Sequence, residues 1–288
     1  MQASTAPTPR LSTARAQAGS PRVGLVVEQR YLSQLQPSGL AAALTARGCG
    51  VVTVDPDELS FEVRRDGGLE ELDVVVARGR STALFSLLAW AEHRGLPTIN
   101  RRQAVAAVYN KVEMALALAS DGVAIPRTWI GAPKTLAGRV PRETYPLILK
   151  PAFGDNCRGL REVESPAELD RVDWPEPTAL VQRYVPSGGV DLKLYGIGER
   201  VWAVRKPSPL GESNASAEPA RLTPAMAAIA RRCSRLFGLE LYGVDCVETD
   251  QGPVVIEVNE FPNYTGVADA NERLADHVLR STPGSWER

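Results

Sequence analysis

Residues 243–263 read GVDCVETDQGPVVIEVNEFPN, and this stretch narrows the possible folds more than any other. Two apolar runs, 243–248 and 254–258, flank Thr-Asp-Gln-Gly-Pro, a composition that reverses a chain and joins two strands as a β-hairpin. Asp245 stands in the first strand. Glu257 and Asn259 stand two residues apart at the end of the second, so the period of two puts both on one face. Three oxygen-bearing side chains on one face suit a hard cation such as Mg²⁺, which keeps waters and completes its shell with phosphate oxygens. The same alternation also describes an amphipathic hairpin with one face in water. The hairpin alone does not separate the two readings.

The upstream chain does. Lys150 closes an apolar run, 147–150, and is followed by PAFGDNCRG; Lys111 stands 39 residues earlier. The order lysine, lysine, glycine-bearing loop, Asp, Glu-x-Asn resembles the ATP-grasp superfamily from about residue 110 to about residue 279. Within it, VIEVNEFPN is similar to the ribosomal-protein glutamate ligase (RimK-like) group, and also to the inositol trisphosphate kinases that share its fold. The resemblance implies ATP as the nucleotide, with Lys111 and Lys150 on its phosphates. It implies one or two Mg²⁺ held by Asp245, Glu257 and Asn259, with Mn²⁺ as an alternative.

The loop 152–160 (AFGDNCRGL) is then the phosphate cover, Gly154 and Gly159 letting backbone N–H groups approach phosphate oxygens. It carries fewer Gly and Ser than its relatives. Asp155 brings a negative charge that Arg158 offsets, and Cys157 is either oxidation-sensitive or an inert filler. In the resemblance, Gln182, Arg183 and Tyr184 form the adenine segment, where relatives often have Glu at the position of Arg183. Asp191 is the ribose candidate. The segment VDLKLYGIGERVWAVRKPSP is a second hairpin turning at 196–199, with Asp191, Lys193 and Tyr195 on one face and Ala203 and Arg205 sharing one on the return. Lys193 and Arg205 either face the reacting centre, where fixed positive charge stabilises phosphoryl oxygens, or are solvated residues of a surface strand. The carboxylates downstream favour the first. Relatives have Gly where Asn263 stands, and Asn accepts a positive φ better than most residues, so the turn there can survive.

Residues 23–28 (VGLVVE), 51–55 and 73–78 are apolar runs of the kind buried in parallel sheets, and 37–48 and 82–93 between them read as helices, with 97–100 a short strand. That alternation implies a doubly wound sheet. No G-x-G-x-x-G follows the first strand, which argues against a dinucleotide site. Arg78 and Arg80, just past a strand end, are either an anion contact to substrate or part of a solvated loop. Further on, 110–120 and 224–237 read as helices, 211–219 as a polar mobile segment and 268–279 as a last helix.

The fold class is therefore α/β and α+β: an N-terminal doubly wound pre-ATP-grasp domain (21–105), a central ATP-grasp lobe (106–187) and a C-terminal ATP-grasp lobe with the metal hairpin (188–280). Residues 1–20 read as a disordered tail, with an organelle transit peptide as the alternative, and 281–288 as a second tail. With 33 basic and 34 acidic residues, charge gives no reason to expect nucleic acid or an anionic membrane as a partner. No apolar run approaches the roughly 20 residues that span a bilayer. Four widely spaced cysteines without metal-type pairing indicate free thiols in the cytoplasm, and two histidines make a His-based metal site improbable.

The resemblance implies an ATP-dependent carboxylate–amine ligase, forming an amide through an acyl phosphate and releasing ADP and phosphate. Its partners would be small-molecule or peptide carboxylates and amines, with Arg78, Arg80 and Asn263 as substrate contacts and a homodimer as the default assembly. The alternatives are a kinase of an inositol phosphate-like acceptor and a nucleotide-binding protein without catalysis. A polyphosphate acceptor would need a strongly basic cleft, and the net charge offers no sign of one.

Overall fold

In this computed structural model residues 12–13, 20–64, 69, 71–154, 158–208 and 216–282 are described. They form two compact units, one containing residues up to Arg102 and from Ala268 onward, the other Gln103–Val267.

The first unit is built on a five-stranded sheet of β1 (Ser12–Thr13), β2 (Arg22–Val27), β3 (Gly50–Val54), β4 (Val74–Arg78) and β5 (Thr98–Ile99), in the order β1-β3-β2-β4-β5. Strands β2 to β5 run parallel, and every Val, Leu, Ile and Ala in them is buried, as parallel strands covered on both faces require. Helices α1 (Gln29–Leu32), α2 (Leu35–Ala46) and α3 (Thr82–His93) follow the strands. Strand β1 corrects the expected tail: Ser12 and Thr13 pair antiparallel with Thr53 and Val52 at the sheet edge. The rest of 1–19, including any targeting signal, lies outside the described residues, as do Asp155, Cys157 and 283–288.

Gln103–Val267 carries two antiparallel sheets. After α4 (Arg102–Tyr109) and α5 (Lys111–Ser120), the strands β6 (Thr128–Gly131), β7 (Leu147–Lys150), β8 (Arg161–Val163) and β9 (Ala179–Arg183) form the first, in the order β6-β9-β7-β8. Helices α6 (Pro133–Ala137) and α7 (Pro166–Arg171) cover it over a core of Leu136, Leu147, Leu149, Leu169 and Val181. The second sheet contains β10 (Val190–Ile197), β11 (Arg200–Pro207), β12 (Glu218–Ala220), β13 (Leu241–Thr249) and β14 (Gly252–Glu260), in the order β12-β11-β10-β13-β14. Strand β12 overlaps the end of the stretch 211–219 expected to be mobile; it pairs with β11 through Ala203–Ala220 and Arg205–Glu218, while 209–215 lie outside the described residues.

Helix α8 (Pro224–Phe237) packs on the second sheet, its Met226, Ala230 and Cys233 meeting Leu194, Val244 and Val258. Its ends follow from the sequence. The Thr223 hydroxyl accepts from Met226 N at 3.2 Å, Pro224 opens the first turn, and Gly238 closes the helix at φ 70°. Among the described residues no helix is long and apolar enough to cross a membrane.

The chain then leaves the second unit. Helix α9 (Ala270–Arg280) packs on α2, burying Leu274, Ala275 and Val278, and Arg47 reaches across to Glu272 and to Asp276 Oδ1 at 2.8 Å. Sequence order placed this helix in the C-terminal lobe. Its contacts place it in the first unit.

Candidate active site

The β13–β14 ladder sets Asp245 directly opposite Glu257. Two carboxylates facing each other across a sheet repel and destabilise the pair unless something compensates them. Two lysines do so. On β10, Lys193 lies opposite Asp245 and its Nζ is 2.7 Å from Asp245 Oδ2. From α5, Lys111 is ion-paired to Glu257 while only 5 % exposed. The result is one row of charges, Lys193, Asp245, Glu257, Lys111, assembled from three strands and a helix start. Lys111 is held there by its neighbour: Asn110 accepts from Val112 N at 3.0 Å and donates to Glu113 Oε1 at 2.9 Å, a reciprocal cap that makes Lys111 the first helical residue.

Strand β14 does not keep the simple alternation. Asp245 pairs with Glu257 but Cys246 pairs with Val255, so Ile256 is an extra residue, a β-bulge. Val255 and Val258 both enter the core, while Ile256 and Glu257 both line a cavity on the opposite face. Asn259 regains the phase of Glu257, and its Nδ2 donates to Asp245 Oδ2 at 3.3 Å. Among the described residues no three His, Cys, Asp or Glu side chains converge. The donors that do converge are two carboxylates and one carboxamide, an all-oxygen set that fits Mg²⁺ and does not fit zinc or copper.

Lys111, Lys150, Gly154, Arg158, Asp191 and Lys193 all line the same cavity. Lys150 is 7 % exposed at the end of β7. Gly159 does not line it; it turns the loop at φ 77°, a backbone state that suits glycine. The loop begins at an anchored point: Ala152 N donates to Glu176 Oε2 at 3.0 Å, Lys111 N donates to Ala152 O at 2.9 Å, and the Phe153 ring rests 4.9 Å from that of Tyr109. Burial opposes charge on Lys193, yet the adjacent Asp245 carboxylate, with Asp191 beyond it, holds its pKa above the ordinary lysine value. Burial, reinforced by Asp245, pushes Tyr195 up to about 12.

Gln182, Arg183 and Tyr184 line the same cavity. The N–H groups of Arg183 and Tyr184 are used within the fold, donating to Arg127 O and Pro146 O at 2.9 Å each, so a ligand must meet other groups of this segment. Arg183 itself is exposed while Gln182 is buried.

One expected member is absent. The β10–β11 register pairs Leu192 with Arg205, which puts Arg205 on the core-helix side of the sheet. There it is half exposed and bonded to Glu248, Nε to Oε2 at 2.9 Å and Nη2 to Oε1 at 3.1 Å. Its neighbour Lys206 pairs with Asp191 and so shares the face of Lys193 and Asp245. Burial first, and the Lys193 charge second, lower the pKa of Lys206. Sequence reasoning missed this residue, although it adjoins the one proposed.

Asn263 does not line the cavity, and the positive φ expected of it falls on Phe261, at 32°. In the first unit, Arg78 and Arg80 are each 5 % exposed, which removes the solvated-loop reading. The Arg78 guanidinium lies 4.9 Å from the Tyr31 ring centre and bonds to Gln34. Glu28, also unforeseen, accepts from Arg80 N, from Ser81 N at 2.6 Å and from Arg30 Nε at 2.6 Å; Gly79 must lack a Cβ because one would overlap the Glu28 carboxylate.

The RimK-like ATP-grasp domain family matches residues 109–281. A probable alpha-L-glutamate ligase of Thioalkalivibrio sulfidiphilus is 30 % identical over 220 residues, covering 70 % of this chain and 73 % of that protein. The crystal structure of a RimK domain ATP-grasp protein from Sphaerobacter thermophilus superposes with a TM-score of 0.74 at 22 % identity, over 90 % of this chain and 99 % of that one. The ATP-grasp ligase PsnB, complexed with a minimal precursor, Mg and ADP, superposes with a TM-score of 0.70 at 18 % identity, over 89 % and 96 %. At those identities the structural likeness is one of fold.

Proposed function

From the premise that this chain belongs to the RimK-like ATP-grasp family, and so is an ATP-dependent carboxylate–amine ligase, we propose how its residues divide the work. A carboxylate oxygen of one substrate attacks the γ-phosphorus of ATP, the bond to ADP breaks, and an acyl phosphate forms. The amine then attacks the acyl carbon, phosphate leaves, and the amine gives up a proton as the amide forms. The charge moves mostly on phosphoryl oxygens, so the protein's task is positioning and electrostatic stabilisation.

Lys111 and Lys150 bind phosphate oxygens, and the 152–160 loop covers them with Gly154 and Arg158. Lys193 and Lys206 supply fixed positive charge toward the reacting centre. Asp245, Glu257 and Asn259 would hold one or two Mg²⁺, or Mn²⁺ on the same donors, and the bound ion supplies neutralisation of phosphate charge. Gln182 and the backbone after it hold the adenine, and Asp191 meets the ribose. The carrying observation is the row Lys193–Asp245–Glu257–Lys111, which gathers two carboxylates and two lysines on one face, the oxygen donors and the fixed positive charge that a metal-bound triphosphate calls for.

The substrates are a small-molecule or peptide carboxylate and amine, and the glutamate in the relatives' name is the first amine to test. Arg78 ends β4 and Arg80 follows two residues later, at the carboxyl end where open α/β sheets take ligands, and a guanidinium matches a carboxylate in shape and charge. Cys49, Cys233 and Cys246 are buried free thiols, which suits a cytoplasmic setting.

The test incubates the protein with Mg-ATP and pooled amino acids and peptides and weighs the products. A mass equal to two substrates minus water, with ADP and phosphate, is expected; an acceptor that keeps a phosphoryl group overturns the ligase. Asn259→Ala should raise the Mg²⁺ needed for half-maximal rate roughly tenfold or more. A doubly substituted Asp245→Asn, Glu257→Gln protein working at the wild-type rate would sink the metal assignment.

A further inference from the structure

Thr128 on β6 and Gln182 on β9 face each other across the first sheet of the second unit. Gln182 is 4 % exposed and lines the cavity. Its Nε2 donates to Thr128 Oγ1 at 3.1 Å, and the Thr128 hydroxyl donates to the Pro126 carbonyl at 2.7 Å. A hydroxyl has one proton and a carbonyl has none to give. With that proton on Pro126, Thr128 can only accept from Gln182, so the carboxamide must turn its NH₂ toward Thr128. Its other atom, Oε1, is then fixed as an acceptor, and it is buried without a hydrogen-bond partner among the described residues. Buried polar atoms of this kind are uncommon and call for a partner from elsewhere.

We infer that Pro126, Thr128 and Gln182 form a base-selecting relay, in which Thr128 fixes the sense of the Gln182 carboxamide so that it accepts from a 6-amino purine and refuses a 6-oxo purine. The inference rests on the nucleotide reading above and adds what that reading lacks, a reason for choosing among nucleotides. Ile148, Val247 and Ile256 line the same cavity and give a planar base apolar faces to lie between. A carboxamide by itself discriminates poorly, because turned about it offers NH₂ to a 6-oxo group as readily as it offers oxygen to a 6-amino group. Thr128 removes that freedom. It is a positioning residue, acting on the base only through Gln182.

The experiment compares ATP with ITP, which replaces the 6-amino group by oxygen, measuring Kd for each on the full-length protein with Mg²⁺ present. The wild type should prefer ATP by roughly ten- to a hundredfold, the penalty of opposing two acceptors at a buried site. Thr128→Val keeps the shape but neither donates nor accepts; it should bring the ATP:ITP ratio close to one, mostly by strengthening ITP. Thr128→Ser should restore the preference. Gln182→Glu, which has only acceptor oxygens, should keep ATP ahead whether or not Thr128 is present. Each ratio is internal to one variant, so partial loss of folded protein cancels. An unchanged ratio in Thr128→Val, or a wild type that binds ATP and ITP alike, overturns the relay and leaves the nucleotide reading standing. A wild type that binds neither overturns both.

Discussion

Arg205 and Lys206 are neighbours that point to opposite faces of one strand, and substituting each in turn separates their work. Lys206→Ala should lower kcat/KM for ATP by roughly tenfold to a hundredfold, because it removes charge on the face of Lys193 and Asp245. Arg205→Ala should leave turnover within about twofold, since its exposed pairing with Glu248 is of a kind worth at most about 1 kcal/mol. Initial rates on the two variants decide it, and equal losses would refute the assignment of faces. Sequence could not make this choice. Period two says that 205 and 206 differ in face, but which one meets Lys193 is set by the pairing of Leu192 with Arg205, a register that no local pattern encodes. Asp245, Glu257, Asn259, Lys111 and Lys150 were legible because their residue types and order repeat a known arrangement. Glu28 was not, because a strand-end carboxylate that bonds backbone N–H groups 52 and 53 residues away leaves no local signal.

Elements, more than single residues, set how the site is presented. The bulge in β14 was illegible: the apolar run Val254-Val255-Ile256 contains no glycine to mark an extra residue, and only the pairing of Cys246 with Val255 reveals that Ile256 and Glu257 share a face. The capped starts of α5 and α8 were legible, since Asn110 and Thr223-Pro224 are local signals. The glycines of the 152–160 loop were visible too, but its anchors at Glu176, Lys111 and Tyr109 come from distant elements. Those anchors yield a prediction. Phe153 is 49 % exposed and adds little to the core, yet its contact with Tyr109 steadies the loop beside Lys111. Phe153→Ala should raise the KM for ATP roughly three- to tenfold, the scale of one aromatic pair, with Tm nearly unchanged. Tyr109→Ala should do the same, and the double variant should do little more. Additive effects in that cycle would dissociate the two rings.

At the scale of the whole molecule, the α2–α9 packing holds the first unit together with residues that lie more than two hundred positions apart, as the link from Arg47 to Asp276 shows. Which part of that contact matters can be predicted. Leu274 is fully buried, so Leu274→Ala should lower stability by about 3 kcal/mol through lost transfer energy and an unfilled cavity. Arg47→Ala removes more visible bonds but should lower it by no more than about 1 kcal/mol, because Glu272 and Asp276 are half exposed and their charges are screened. Urea titration of both variants measures the difference, and a larger loss for Arg47→Ala would reverse the ranking. The alternation of apolar runs made the parallel sheet of this unit readable, but not the identity of the helix that completes it, since a helix's buried stripe does not name its partner.

That helix also fixes an order of events during synthesis. The ribosome delivers α2 early and α9 only after all of 103–267, so the unit begun first is finished last. At ordinary elongation rates the apolar side of α2 waits on the order of ten to fifty seconds for Leu274 and Val278. The nucleotide-binding unit, whose residues have all emerged by then, can fold ahead of the unit that precedes it in the chain.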